Sequence, residues 1–195
     1  MTRPPLVILD RDGVINEDSP CYIKSLEEWR PIPGSIEAIA ALSQAGFQVA
    51  VATNQSGIGR GLFPTSALET MHRRMQQLVH DAGGRIATVM FCPHHPDAGC
   101  ECRKPAPGLL HRIGRELGVP IEGVPFIGDS QSDIDAARTA GCRPLLVLTG
   151  KGNATLAKAE PHQLTGAEVF ANLAAAAGAV IAEAGQPTAD GGAGR

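Results

Sequence analysis

Five short apolar runs recur along the chain: LVIL at 6–9, FQVAVA at 47–52, IATVMF at 86–91, VPFI at 124–127 and PLLVL at 144–148. Each has the length and composition of a strand buried on both faces, the kind found at the centre of a parallel sheet. Stretches with helical periodicity lie between them. Residues 34–45 place Ile36, Ile39, Ala40 and Leu42 near one face and stop at Gly46. Residues 66–81 begin with Ser66 and Glu69 in the spacing of a capping box and stop before Gly83-Gly84. Residues 107–117 run from Pro107 to Gly118, and residues 131–140 stop at Gly141. A last helix is expected over about 166–184. Strand–helix alternation predicts an α/β fold, a Rossmann-like, mostly parallel sheet with helices on both faces.

With 195 residues the chain suffices for one substantial core. Its net charge of −3 and few aromatics argue against a nucleic-acid or anionic-membrane partner. No apolar run approaches the roughly 20 residues of a membrane span. MTRPPLVILDRDG runs directly into the first apolar run, with no leader to cleave, so a cytoplasmic location is expected. In that reducing setting, clustered cysteines more often bind metal or do chemistry than pair, and the odd count of five argues against a disulfide framework.

In such sheets ligands bind beyond the carboxyl ends of the strands. LVIL delivers Asp10-Arg11-Asp12-Gly13, FQVAVA delivers Thr53-Asn54-Gln55-Ser56-Gly57, and VPFI delivers Gly128-Asp129-Ser130 with Asp133 following. Asp10 and Asp12 repel one another unless a cation sits between them, and Asp129 supplies a third carboxylate. Hard oxygen ligands of this kind suit Mg²⁺. Read singly, each motif has a plainer meaning: D-x-D as a turn or helix cap, Thr53-Asn54 as a strand-to-helix turn, and Asp129 or Ser130 as a cap.

The run FCPHHPDAGCECRKP, residues 91–105, holds Cys92, His94, Cys100 and Cys102, four ligands of the type a closed tetrahedral Zn²⁺ site takes. A redox pair and unligated core cysteines are the alternatives. Gly99 and the prolines mark a loop with little apolar core to hide thiols. His95 competes with His94 for the ligand role, and His95 is expected to be the exposed one. Cys21 and Cys142 read as packing residues, and His72, His80, His111 and His162 carry no functional signal.

An Asp pair first, a Thr second, a Lys third and an Asp pair last, each just after an apolar run or loop, resembles the haloacid dehalogenase superfamily of phosphotransferases over residues 6–150. That resemblance implies one phosphatase domain, taken over 1–185; the small, polar composition of 186–195 is that of a disordered tail. The resemblance implies Asp10 as nucleophile, Asp12 as general acid and base, and Thr53 and Lys104 as ligands of the transferring phosphoryl oxygens. Mg²⁺ would be held by Asp10, the main-chain carbonyl of Asp12, and Asp129, while Asp133 orients Lys104 or a metal-bound water. A structural Zn²⁺ on Cys92, His94, Cys100 and Cys102 would then stiffen the loop that presents Arg103 and Lys104. The gaps between the first strands hold only about 35 and 40 residues, too few for a large cap domain.

Capless members with such a loop act on two substrates, D-glycero-D-manno-heptose 1,7-bisphosphate (at position 7) or histidinol phosphate. DRDGVIN, TNQSGIGRG and CRKPAPGLL resemble the heptose branch, which feeds lipopolysaccharide biosynthesis. Ser56 stands where the other branch tends to be acidic, and Arg60-Gly61 is absent there. The short spacing from His94 to Cys100 points the opposite way. On the heptose reading, Asn16, Asp18, Tyr22, Asn54, Gln55, Ser56, Arg60, Arg103 and Ser130 contact the small phosphorylated sugar, and the chain acts as a monomer. A receiver-like switch with a persistent aspartyl phosphate, or a zinc-stapled binding module, are the non-enzymatic alternatives. Asp12 disfavours the first, because an acid–base group beside the nucleophile speeds hydrolysis.

Overall fold

The computed structural model describes residues 4–185, so the tail expected over 186–195 lies outside the described residues. Six parallel strands form one sheet in the order β3-β2-β1-β4-β5-β6. They are β1 (Leu6–Leu9), β2 (Gln48–Asn54), β3 (Thr88–Cys92), β4 (Pro125–Gly128), β5 (Arg143–Val147) and β6 (Glu168–Phe170). The chain winds outward from β1 to β3, then crosses to β4 and winds the other way. The strand order therefore reverses between β1 and β4, where a crevice opens at the carboxyl ends.

The period-2 pleat of the strands divides the core in two. Val7, Leu9, Val49 and Val51 face one way, toward α1 (Ser35–Gln44), α3 (Thr65–Asp81) and α7 (Leu173–Ala184). Leu6, Ile8, Ala50, Ala52 and Phe126 face the other, toward α4 (Gly108–Leu117) and α5 (Gln131–Ala140). Burying each large aliphatic side chain stabilises by about 1.5–3 kcal/mol. All four residues of β1 are buried, and β1 pairs with β2 on one side and β4 on the other, which anchors Asp10 and Asp12 at the centre of the sheet. Two short helices, α2 (Ser56–Gly59) and α6 (Gly152–Lys158), follow β2 and β5. No described segment between β1 and β3 folds into a cap over the crevice.

Three local expectations need correction. The helix expected over 166–184 begins only at Leu173, because residues 168–170 form the edge strand β6 instead. Asn172 caps α7 by accepting from the Ala175 N–H at 3.0 Å. The Ser66–Glu69 capping box does not form: α3 starts at Thr65 behind Pro64, so Ser66 lies inside the helix. Pro107 is likewise the N-cap of α4 rather than its first residue. The glycine stops hold, with Gly118 and Gly141 both left-handed at φ +65° and +76°.

Candidate active site

Asp10 follows β1 directly, and its N–H donates to Ile127 O of β4 at 2.8 Å, across the switch point. Lys104 arrives from the loop after β3 and is buried, 3% exposed. Its ammonium lies 2.8 Å from Asp10 Oδ1 and 2.7 Å from Asp133 Oδ1, and donates to Ala52 O at 2.9 Å. Burial disfavours a charged lysine, but the two carboxylates outweigh it and hold Lys104 protonated. Burial raises Asp10 to about 8 against the pull of Lys104, with Asp133 and Asp129 adding to the rise. Burial and Asp133 likewise raise Asp129 to about 7.

Carboxylate oxygens of Asp10, Asp129 and Asp133 lie within 4.8 Å of one another. Three carboxylates against one ammonium leave an excess of negative charge, which a divalent cation among oxygen ligands would neutralise. Asp133 is not free to be a ligand. Its Oδ1 faces Lys104, and its Oδ2 accepts from Ser130 Oγ (2.6 Å), Ser130 N (3.0 Å) and Asp129 N (3.2 Å). The Ser130 N–H contact is one half of the capping box of α5, whose other half is the Asp133 N–H donating to the Ser130 side chain, so Ser130 serves the helix cap as well as lining the cavity. Asp10 and Asp129 remain as side-chain ligands. The bridge between Asp12 and Asn16 uses Arg11 O and Gly13 N, leaving the Asp12 carbonyl outside that pairing. This donor set fits the expected Mg²⁺.

Asp129 sits in a cradle of backbone. A Cβ on Gly13 (φ +81°) would lie 1.9 Å from Asp129 Oδ2, and one on Gly150 (φ +54°) would lie 2.2 Å from it. The Lys151 N–H donates to the same oxygen at 2.7 Å. Gly13→Ala is therefore expected to displace Asp129 and cut turnover at least tenfold, checked by steady-state rates across a Mg²⁺ titration.

Asp12 is differently placed. Burial raises its pKa, but the Arg11 guanidinium and hydrogen bonds from Asn16, Arg11 and Gln55 prevail, and Asp12 is held below the usual carboxylate range. Arg11 Nη2 donates to both oxygens (2.7 and 3.0 Å), Asn16 Nδ2 to Oδ1 (2.8 Å) and Gln55 Nε2 to Oδ2 (2.8 Å). Behind Arg11, His72 approaches to 3.4 Å. Burial and that guanidinium push His72 down to about 3, so it is neutral. Sequence reasoning missed both residues: an Arg between two aspartates reads as a spacer, and His72 as one more helical histidine.

Asp10, Asp12, Lys104 and Asp129 border a cavity of about 540 Å³. Of the residues expected to contact the sugar, Asp18, Tyr22, Asn54, Gln55, Ser56, Arg60, Arg103 and Ser130 line it, together with Thr53. Asn16 does not. It is fully buried, its amide N–H groups spent on Asp12 and on Glu17 O, which corrects its expected place against the sugar. Tyr22 has φ +65°, a left-handed conformation costly for an aromatic residue. Arg103 Nη1 is buried with no hydrogen-bond partner among the described residues. Lys151, missed in the sequence, also lines the cavity and pairs with Asp18 at 2.9 Å.

The four expected loop ligands meet. Sγ–Sγ separations are 3.2 Å (Cys92–Cys102), 3.5 Å (Cys100–Cys102) and 3.6 Å (Cys92–Cys100), and His94 Nδ1 lies 3.5 Å from Cys92 and 3.2 Å from Cys102. Tetrahedral zinc with bonds near 2.3 Å spaces its sulfurs about 3.8 Å apart, whereas a disulfide needs about 2 Å. The set fits zinc. His95 instead pairs with Asp97 and is less exposed than His94, the reverse of the expected order. The thiols are not bare of apolar cover either: Cys92 is fully buried in the α4–α5 core, and Cys100 and Cys102 pack against it. Cys142 is buried as expected, whereas Cys21 is exposed.

Comparison with known proteins agrees with this geometry. A HAD-hydrolase-like family model matches residues 101–176. D-glycero-β-D-manno-heptose-1,7-bisphosphate 7-phosphatase of Pseudomonas aeruginosa is 56% identical over 90% of this chain and 97% of its own length. The Bordetella bronchiseptica enzyme of that name is 48% identical over 92% and 99%. A crystal structure of D,D-heptose 1,7-bisphosphate phosphatase from B. bronchiseptica, complexed with magnesium and phosphate, superposes with a TM-score of 0.87 at 48% identity, covering 92% of this chain and 99% of that one. The fold and site are those of a haloacid dehalogenase-like phosphatase. Within that class, the chain belongs to the heptose-1,7-bisphosphate 7-phosphatase family.

Proposed function

We propose that this chain removes the 7-phosphate of D-glycero-D-manno-heptose 1,7-bisphosphate, supplying heptose 1-phosphate for nucleotide-activated heptose and the lipopolysaccharide core. The observation that carries the reading is the buried contact of Asp10 with Lys104 in the lining of the cavity. A nucleophile already touches the cation that would receive the phosphoryl oxygens.

Asp10 attacks phosphorus, and the bond from phosphorus to the C7 oxygen breaks. Lys104 and Thr53 bind the equatorial oxygens as charge spreads over them. A proton from Asp12 goes to the leaving alkoxide. Water then attacks the aspartyl phosphate, gives its proton to Asp12, and inorganic phosphate departs from Asp10. The donors around Asp12 favour its base form, which suits it to take the proton from the attacking water. Mg²⁺, held by Asp10, Asp129 and the Asp12 carbonyl, would screen the repulsion between carboxylate and phosphate. Zn²⁺ on Cys92, His94, Cys100 and Cys102 would fix the loop that ends in Arg103 and Lys104.

Arg103, with its unpartnered buried Nη1, and Arg60 suit the remote phosphate, while Ser56, Asp18 and Tyr22 suit sugar hydroxyls. A neutral Ser56 offers no charge to the ammonium of histidinol phosphate. The same reading places the enzyme in the cytoplasm as a monomer. The test is phosphate release with Mg²⁺ from the heptose bisphosphate and from histidinol phosphate at equal concentration. A preference of at least about 10²-fold in kcat/KM for the heptose is expected; the opposite preference would overturn the substrate assignment and leave the chemistry standing.

A further inference from the structure

Lys104 holds its ammonium between two carboxylates, yet its main chain belongs to no strand or helix. Something must fix the base of that side chain. β3 stops at Cys92, which pairs with Asn54, and Gln55 N–H donates to Cys92 O at 2.8 Å. Beyond that point the sheet gives the loop no further ladder. The Asn54 side chain takes over. Its Nδ2 donates to Lys104 O at 3.1 Å, and its Oδ1 accepts from Lys104 N–H at 3.1 Å. One planar carboxamide thus grips both polar groups of a single residue, as a neighbouring strand would.

Resting on the phosphatase reading above, we propose that Asn54 is a positioning residue, a side-chain clamp that sets where the Lys104 ammonium stands relative to Asp10. Asn54 lines the cavity, so direct contact with the sugar is the rival role. The hydrogen bonds favour the clamp: one N–H and the amide oxygen are already engaged on Lys104. A carboxamide suits the task because it offers a donor and an acceptor in one plane. Asp would keep the acceptor, lose the donor to Lys104 O, and add charge near the phosphate. Ala would release the main chain altogether. A misplacement of about 1 Å in a group that stabilises the transition state can cost about 10²-fold in rate.

The experiment is a double-mutant cycle with Asn54→Ala and Lys104→Gln, read as kcat and KM for the bisphosphate. Zinc content and thermal midpoint are measured on each variant. In the wild-type background, Asn54→Ala should lower kcat by about 10²-fold with KM changed by less than about threefold. In the Lys104→Gln background the same substitution should cost less than about threefold, because it acts through a lysine no longer there. Equal losses in both backgrounds, or a loss carried by KM, would overturn the clamp and assign Asn54 to the substrate. Should Lys104→Gln not fold, Asn54→Asp and inhibition by vanadate decide. The clamp requires vanadate to weaken in step with kcat, and vanadate inhibition unchanged against a fallen kcat contradicts it. A wild-type protein that released no phosphate from any ester would instead refute the phosphatase reading, and the catalytic role of the clamp with it.

Discussion

Asp10→Asn is expected to reduce phosphate release by at least about 10⁴-fold, a barrier increase of about 5.5 kcal/mol, with the fold and zinc content kept. The amide is a poor nucleophile toward phosphorus and leaves one cation ligand weaker. It should not unfold the chain. Asp10 lies beyond the last residue of β1, so the Val7–Leu9 packing is untouched. Removing one negative charge from a crowd of three carboxylates also relieves the repulsion that, with burial, raises Asp10 to about 8. The variant is therefore predicted to be as stable as the parent in the absence of Mg²⁺, or more so. Thermal unfolding with and without Mg²⁺ checks this beside the rate. Retained activity in Asp10→Asn would refute the assigned nucleophile.

Cys92→Ser is expected to be nearly as damaging, by a different route. Cys92 Sγ is fully buried and lies within 3.6 Å of both other thiols. Serine removes a soft ligand and leaves a hydroxyl against the α4–α5 core. Loss of the metal would free the segment from Cys92 to Lys104, and the lysine with it. We expect zinc content below one tenth of the parent, a lower thermal midpoint, and kcat down by about 10²-fold or more. Metal analysis and kinetics on the same preparation test it. Full kcat without bound zinc would separate the loop from the chemistry.

Much of this site is legible in the amino-acid sequence because strands buried on both faces announce themselves as apolar runs, and parallel sheets collect function where those runs end. Asp10, Thr53 and Asp129 are found that way. Lys104 is found through its place after the cysteine loop. What the sequence hides is tertiary. β6 is three residues of exposed edge beside an alanine-rich helix, so periodicity merges the two. Arg11 is invisible as a buried partner until the chain turns back at Gly13. Lys151 reaches the cavity only because Gly150, at φ +54°, turns its N–H onto Asp129. The amides of Asn54 and Gln55 look like sugar contacts in a motif; only the fold shows that they also engage Lys104, Asp12 and Thr53.

The most direct test of the central claim, covalent phosphoryl transfer through Asp10, is the stereochemical course at phosphorus. The 7-phosphate would be made chiral with sulfur and oxygen isotopes and hydrolysed by the wild-type enzyme with Mg²⁺. Two in-line displacements, one by Asp10 and one by water, predict retention of configuration in the released thiophosphate. Inversion would mean that water attacks the ester directly and that Asp10 never carries the phosphoryl group.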